Sequence, residues 1–129
     1  ALKAARSEKT VLRRHIMKDK GMAGMGAVCL DGSDAGFYWA PSPGKAGADN
    51  CNANADNWEI SFLGGAWCFN EPGCESRSLS YLGSSTFWTW EQISMNGLMS
   101  DDCDLNPDFC NFNRVLLMYC DGFSFAGDR

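Results

Sequence analysis

The chain has 129 residues, 45% of them hydrophobic, and a net charge of −5 at neutral pH, which allows one domain with a modest core. No apolar run approaches the roughly 18 residues of a membrane span, which excludes a transmembrane segment. The seven cysteines (Cys29, Cys51, Cys68, Cys74, Cys103, Cys110 and Cys120) are many for a reducing compartment and favour an oxidising, secretory one.

The chain opens on Ala1 rather than Met, with no secretory signal pattern, as expected of a processed or truncated start. Through Lys20 it carries seven basic residues against two acidic ones, a charge of +5 that leaves −10 on the remainder. Leu2, Ala5, Val11, Leu12 and Ile16 form a ragged apolar stripe, so residues 1–20 read as a polar helix. Gly21 to Gly26 reads as a flexible break. Residues 1–26 are therefore expected to be a basic, helical or flexible arm. Such an arm on an acidic body could touch nucleic acid or anionic lipid. A solvated tail is the simpler reading, and no aromatic residue interleaves the basic ones, so no nucleic-acid partner is expected.

Ala27 to Leu30 begins an extended segment that turns at Asp31-Gly32-Ser33. Gly36 to Trp39 predicts a strand stopped by Pro41 and Pro43. Residues 44–57, rich in Gly, Ala, Asn and Asp, read as a surface loop. Trp58 to Leu63 alternates, with Trp58, Ile60 and Phe62 on one face, and is the clearest strand. Residues 75–95, with Leu79, Leu82, Phe87, Trp88 and Ile93, are compatible with one or two short helices. Asn106-Pro107 breaks what precedes it. Val115 to Tyr119 is a continuous apolar run suited to a central strand covered on both faces. Two buried strands separated by about fifty residues of helical pattern predict a βαβ crossover in an α/β fold.

Chemistry concentrates after the clearest strand, in Leu63-Gly64-Gly65-Ala66-Trp67-Cys68. A glycine-rich loop in this position supplies backbone N–H donors for a tetrahedral oxyanion in α/β-hydrolases. The bland alternative is a simple turn. Pro72-Gly73 favours a turn that would join Cys68 to Cys74, against the alternative of two buried thiols. Zinc is disfavoured, because the close cysteine pairs are too widely spaced and the single histidine, His15, lies in the basic arm. Asp101, Asp102 and Asp104, with Asp108 nearby, could suggest calcium or paired-carboxylate chemistry. However, Pro107 stands where an EF-hand loop needs Gly, and a solvated loop fits better. Gly122-Phe123-Ser124-Phe125-Ala126 imitates a nucleophile elbow, but no histidine follows it. Neither a metal nor a cofactor is expected.

Four ordered blocks resemble the pectin acetylesterase/Notum family. They are Ala27 to Ser33 with Ala35 to Tyr38; Trp58 to Cys74; Gly97 to Ser100 with Asn106 to Phe109 and Asn111 to Asn113; and Tyr119 to Gly122 with Ser124 to Asp128. The resemblance implies that residues 27–129 form the N-terminal part of a disulfide-braced α/β-hydrolase fold. It implies a secreted ester hydrolase acting on acetylated polysaccharide or another acylated substrate. Its Ser, Asp and His triad would lie beyond Arg129, leaving no catalytic side chain here. By residue match, Gly65 and Ala66 take the oxyanion-hole positions and Trp67 the pocket wall. The family usually has Glu or Gln where Leu63 stands and Gly or Trp where Ala66 stands. The resemblance also pairs Cys29 with Cys120. With Cys68–Cys74 and a Cys103–Cys110 bridge, Cys51 becomes the odd thiol. Two alternatives stay open: a Notum-like protein deacylase, and a secreted carbohydrate-binding module using Trp39, Trp58, Trp67, Trp88 and Trp90, although most of these tryptophans are expected in the core.

Overall fold

The computed structural model describes residues 10–18, 26–43 and 56–126. They build one mixed sheet of five strands: β1 Thr10–Ile16, β2 Gly36–Ala40, β3 Trp58–Phe62, β4 Gln92–Met95 and β5 Asn113–Leu117. The spatial order is β3-β5-β2-β1-β4. β3 and β5 run parallel, and every other pairing is antiparallel. The parallel pair is connected by a long crossover that holds the helix α1 (Glu71–Ser78), two short 3-10 turns and β4, as parallel neighbours require.

Register sorts the side chains into two faces. Ile60, Val115, Trp39 and Arg13 lie in one row across four strands, and Ser61, Leu116, Tyr38 and Arg14 lie in the row on the opposite face. The second face carries the core. Leu12, Tyr38 and Leu116 pack there with Trp88 and Met99 from the crossover. The first face is open. Trp58, Ile60 and Phe62 are 52%, 55% and 61% exposed. The alternation expected in β3 is present, but its apolar stripe points away from the described core, so β3 is not the buried strand anticipated.

The helix read across residues 1–20 is corrected where it can be seen: Thr10–Ile16 is a strand between β2 and β4. Leu12, Arg14 and Ile16 alternate inward while Val11, Arg13 and His15 alternate outward. The inward Arg14 disguises this period, because a charge at a core-facing position reads as polar. Its guanidinium is accommodated by donating to the Trp88 carbonyl. The helical reading of residues 75–95 is also corrected at its end, since β4 turns Ile93 and Met95 inward at period two. Residues 1–9, 19–25 and most of the predicted 44–57 loop lie outside the described residues.

Pro72-Gly73 starts a helix rather than forming a reverse turn. Asn70 caps α1 by accepting from the Gly73 N–H at 2.8 Å. Pro72 is harmless in the first turn, where its missing N–H would have no intrahelical partner. Three disulfides brace the fold: Cys29–Cys120, Cys68–Cys74 and Cys103–Cys110, with Cα separations of 4.8, 5.0 and 5.0 Å. Cys51 falls outside the described residues. Arg114 is buried beneath the third bridge and donates to the carbonyls of Cys110 and Ser100. Burial pulls its pKa down, opposed by the charges of Asp101 and Glu59.

Candidate active site

β3 leaves the sheet at its carboxyl end. The Leu63 N–H makes a last ladder bond to Leu117 at 2.9 Å, and the chain then runs through Gly64, Gly65, Ala66 and Trp67. It is tied back at Cys68, whose N–H donates to the Gly122 carbonyl at 3.1 Å, just beyond β5. The loop thus bridges the carboxyl ends of the parallel pair, where open α/β sheets bind ligands.

The reason for glycine at 65 is contact rather than a special φ. A Cβ there would stand 2.3 and 2.5 Å from Cδ1 and Cε1 of Tyr119. Gly64 is free of such neighbours. Ala66 carries the unusual backbone, with φ of 57°, a left-handed conformation that costs an alanine roughly 1–2 kcal/mol. The carbonyls of Gly65, Ala66 and Trp67 are all engaged. Arg77 donates to Gly65 at 2.6 Å and to Trp67 at 3.3 Å, and the Tyr119 hydroxyl donates to Ala66. The amides are not: among the described residues no acceptor takes the N–H of Gly64, Gly65, Ala66 or Trp67.

Beside the loop, a cleft of about 620 Å³ opens on the core side of the sheet, walled by Phe62, Leu63, Gly64, Tyr81, Trp90 and Leu98 among others. Tyr38 lies at its base. Burial pushes the Tyr38 pKa up against the opposing charge of Arg14, so its hydroxyl keeps its proton and donates to the Trp90 carbonyl at 2.7 Å. Trp67 is 61% exposed and does not line this cleft. Of the five tryptophans, only Trp88 is fully buried, whereas Trp58, Trp67 and Trp90 are all more than half exposed.

The competing candidates are not assembled into sites. His15 sits on β1, stacked on Phe37 at 5.3 Å. Ser124 is exposed in a turn after β5, with φ of 54°. Asp102 accepts the Asp104 N–H at 2.9 Å and so shapes its own turn. Among the described residues no group of three metal-ligating side chains is arranged to hold an ion, and no helix is long and apolar enough to cross a membrane. Sequence reasoning missed Arg77 and Tyr119. The available signals were an arginine in the helix following the glycine loop and a tyrosine ending the central apolar run.

A mixed five-stranded sheet with a parallel β3–β5 pair, a glycine loop leaving β3 and three disulfides is the arrangement expected of the N-terminal part of an α/β-hydrolase fold. Comparison with known proteins agrees. The Pectinacetylesterase family profile matches residues 5–129. Pectin acetylesterase 5 of Arabidopsis thaliana is 36% identical over 79% of this chain and 22% of its own length. Palmitoleoyl-protein carboxylesterase NOTUM of Schmidtea mediterranea is 37% identical over 78% of this chain and 18% of its own. A structure of the Wnt deacylase Notum from Drosophila superposes with a TM-score of 0.67 at 29% identity, covering 88% of this chain and 28% of that one. The chain belongs to the pectinacetylesterase family, and it spans about a fifth of the length of the curated relatives it matches.

Proposed function

We propose that the complete protein is a secreted carboxylic-ester hydrolase that removes O-acetyl groups from a pectin-like polysaccharide, and that this chain supplies its oxyanion loop. The observation that carries the reading is the set of unpaired amides at Gly65 and Ala66, at the carboxyl end of β3, in a chain of this family. Attack on an acetyl ester moves negative charge onto the carbonyl oxygen, and fixed N–H donors stabilise that charge as it develops. Trp67, exposed beside the donors and outside the cleft, would meet the part of a substrate that extends over the loop. The nucleophile, acid and histidine of the triad are assigned to sequence C-terminal to residue 129. The single histidine here, on β1, stacks on Phe37, and Ser124 lies exposed in the turn after β5.

Expression of the protein with its natural continuation, assayed on acetylated pectin and on p-nitrophenyl acetate, tests the reading. Release of acetate, abolished by replacing a serine in a Gly-x-Ser-x-Gly elbow after residue 129, is the expected result. A complete protein that binds pectin without releasing acetate would instead be a carbohydrate-binding module.

A further inference from the structure

We propose that Arg77 and Tyr119 are positioning residues for the oxyanion loop, a two-pronged clamp that sets the direction of the Ala66 and Trp67 amides by holding the carbonyls that precede them. The inference rests on the functional reading above.

The argument starts from peptide planarity. In a trans peptide the C=O of one residue and the N–H of the next point in opposite directions within one rigid plane. Whatever holds the Gly65 carbonyl therefore aims the Ala66 N–H. That carbonyl accepts from the Arg77 guanidinium at 2.6 Å. The next plane is held by the Tyr119 hydroxyl on the Ala66 carbonyl, and the one after it by the second Arg77 prong on Trp67 at 3.3 Å. Three consecutive planes are fixed by two side chains.

The clamp also explains the backbone. Ala66 is left-handed, while Gly65 is not. Alanine adopts that hand only at a cost, so the conformation needs outside support. Arg77 and Tyr119 provide it from opposite ends of the crossover, one in α1 and the other after β5. They also support each other: the guanidinium lies 5.8 Å from the centre of the Tyr119 ring. The ring is buried and meets Phe125 edge-on at 5.6 Å, and its face fills the space a Cβ at Gly65 would need. The planar fork of arginine suits two carbonyls two residues apart, and the single ammonium of lysine does not.

The test uses the complete protein and four forms: wild type, Arg77→Gln, Arg77→Lys and Tyr119→Phe. Turnover of p-nitrophenyl acetate is measured beside thermal midpoints. Arg77→Gln is expected to lower kcat by about 100-fold, the scale of losing one oxyanion donor, with KM within about twofold. Arg77→Lys should recover part of that loss by holding Gly65 alone, and Tyr119→Phe should lose about tenfold. If the folded variants keep wild-type kcat, the clamp has no positioning role and the proposal is overturned. A second readout is independent of activity: backbone order parameters of the Ala66 and Trp67 amides. These should fall from about 0.85 to below about 0.6 in Arg77→Gln, and unchanged values overturn the clamp even where turnover falls. An inactive wild type whose loop amides still loosen in Arg77→Gln would sink the esterase reading while leaving the clamp in place.

Discussion

Adding one carbon at Gly65 is the most direct way to disturb the site. In Gly65→Ala the new Cβ would begin 2.3 Å from the Tyr119 ring, against an ordinary carbon contact of about 3.5 Å. Something must retreat by roughly 1 Å. The ring is poorly placed to do so, being buried, bonded through its hydroxyl to Ala66 and flanked by Phe125. The loop, with its exposed Gly64 and Ala66, is softer. It therefore moves, carrying the Ala66 N–H off the oxyanion position. A displacement of about 1 Å at a reacting centre costs on the order of 100-fold in rate, and overpacking costs about 1–3 kcal/mol of stability. The assay is kcat and KM on p-nitrophenyl acetate in the complete protein, with Gly64→Ala as the control whose Cβ meets nothing within 4 Å. Gly65→Ala should lose about 100-fold in kcat with little change in KM, and Gly64→Ala should lose less than about threefold. A Gly65→Ala enzyme with a wild-type melting point and wild-type kcat would refute both the steric reasoning and the role given to the loop.

Ala66→Gly should leave kcat unchanged and stabilise the protein by about 0.5–1 kcal/mol, since glycine tolerates the left-handed backbone but is freer when unfolded; a lower melting temperature would contradict this. The 129-residue chain alone should hydrolyse no p-nitrophenyl acetate above background, and turnover abolished by Ser124→Ala would make that serine a nucleophile. Removing Cys29–Cys120, whose residues are 91 apart, should cost about 4–5 kcal/mol on a chain-entropy basis, against about 2–2.5 for Cys68–Cys74; denaturant titration of the paired serine variants ranks the two. Ile60→Arg should reduce dye binding and self-association of the isolated chain, yet destabilise the complete protein by more than about 2 kcal/mol if the open sheet face is covered there. Equal tolerance in both contexts would mean that the face stays in water.

The parts of this fold legible in the sequence are those where side-chain period and burial agree. β2 and β5 are flanked by turn residues and carry large apolar groups, and β5 is central in that both its edges are paired, although it begins at Asn113 rather than Val115 and its Val115 and Leu117 are only half-buried rather than covered on both faces. β1 escaped because Arg14 occupies an inward position and is satisfied by a carbonyl 74 residues away, a compensation no local window contains. β4 escaped because four residues are too few to separate a strand from a helix by period. The glycine loop was visible as composition, but the reasons for its residues were not. Gly65 is set by a ring 54 positions later and the Ala66 carbonyl by the hydroxyl of that same ring, and long-range contacts of this kind leave no periodic trace.

The Cys29–Cys120 bridge has a consequence for how the protein is made. Synthesis at about 5–20 residues per second delivers Cys120 roughly 5–18 s after Cys29. Throughout that interval Cys29 is a thiol without its mate, while Cys51, Cys68, Cys74, Cys103 and Cys110 emerge behind it, the last four in closely spaced pairs. Cys68 and Cys74 sit on a short segment with its own helix cap, so they can close on each other early and withdraw from competition. Cys51 has no such neighbour. In an oxidising compartment the competing reaction is a premature Cys29–Cys51 link that closes before β5 exists, and thiol–disulfide exchange would then have to reopen it.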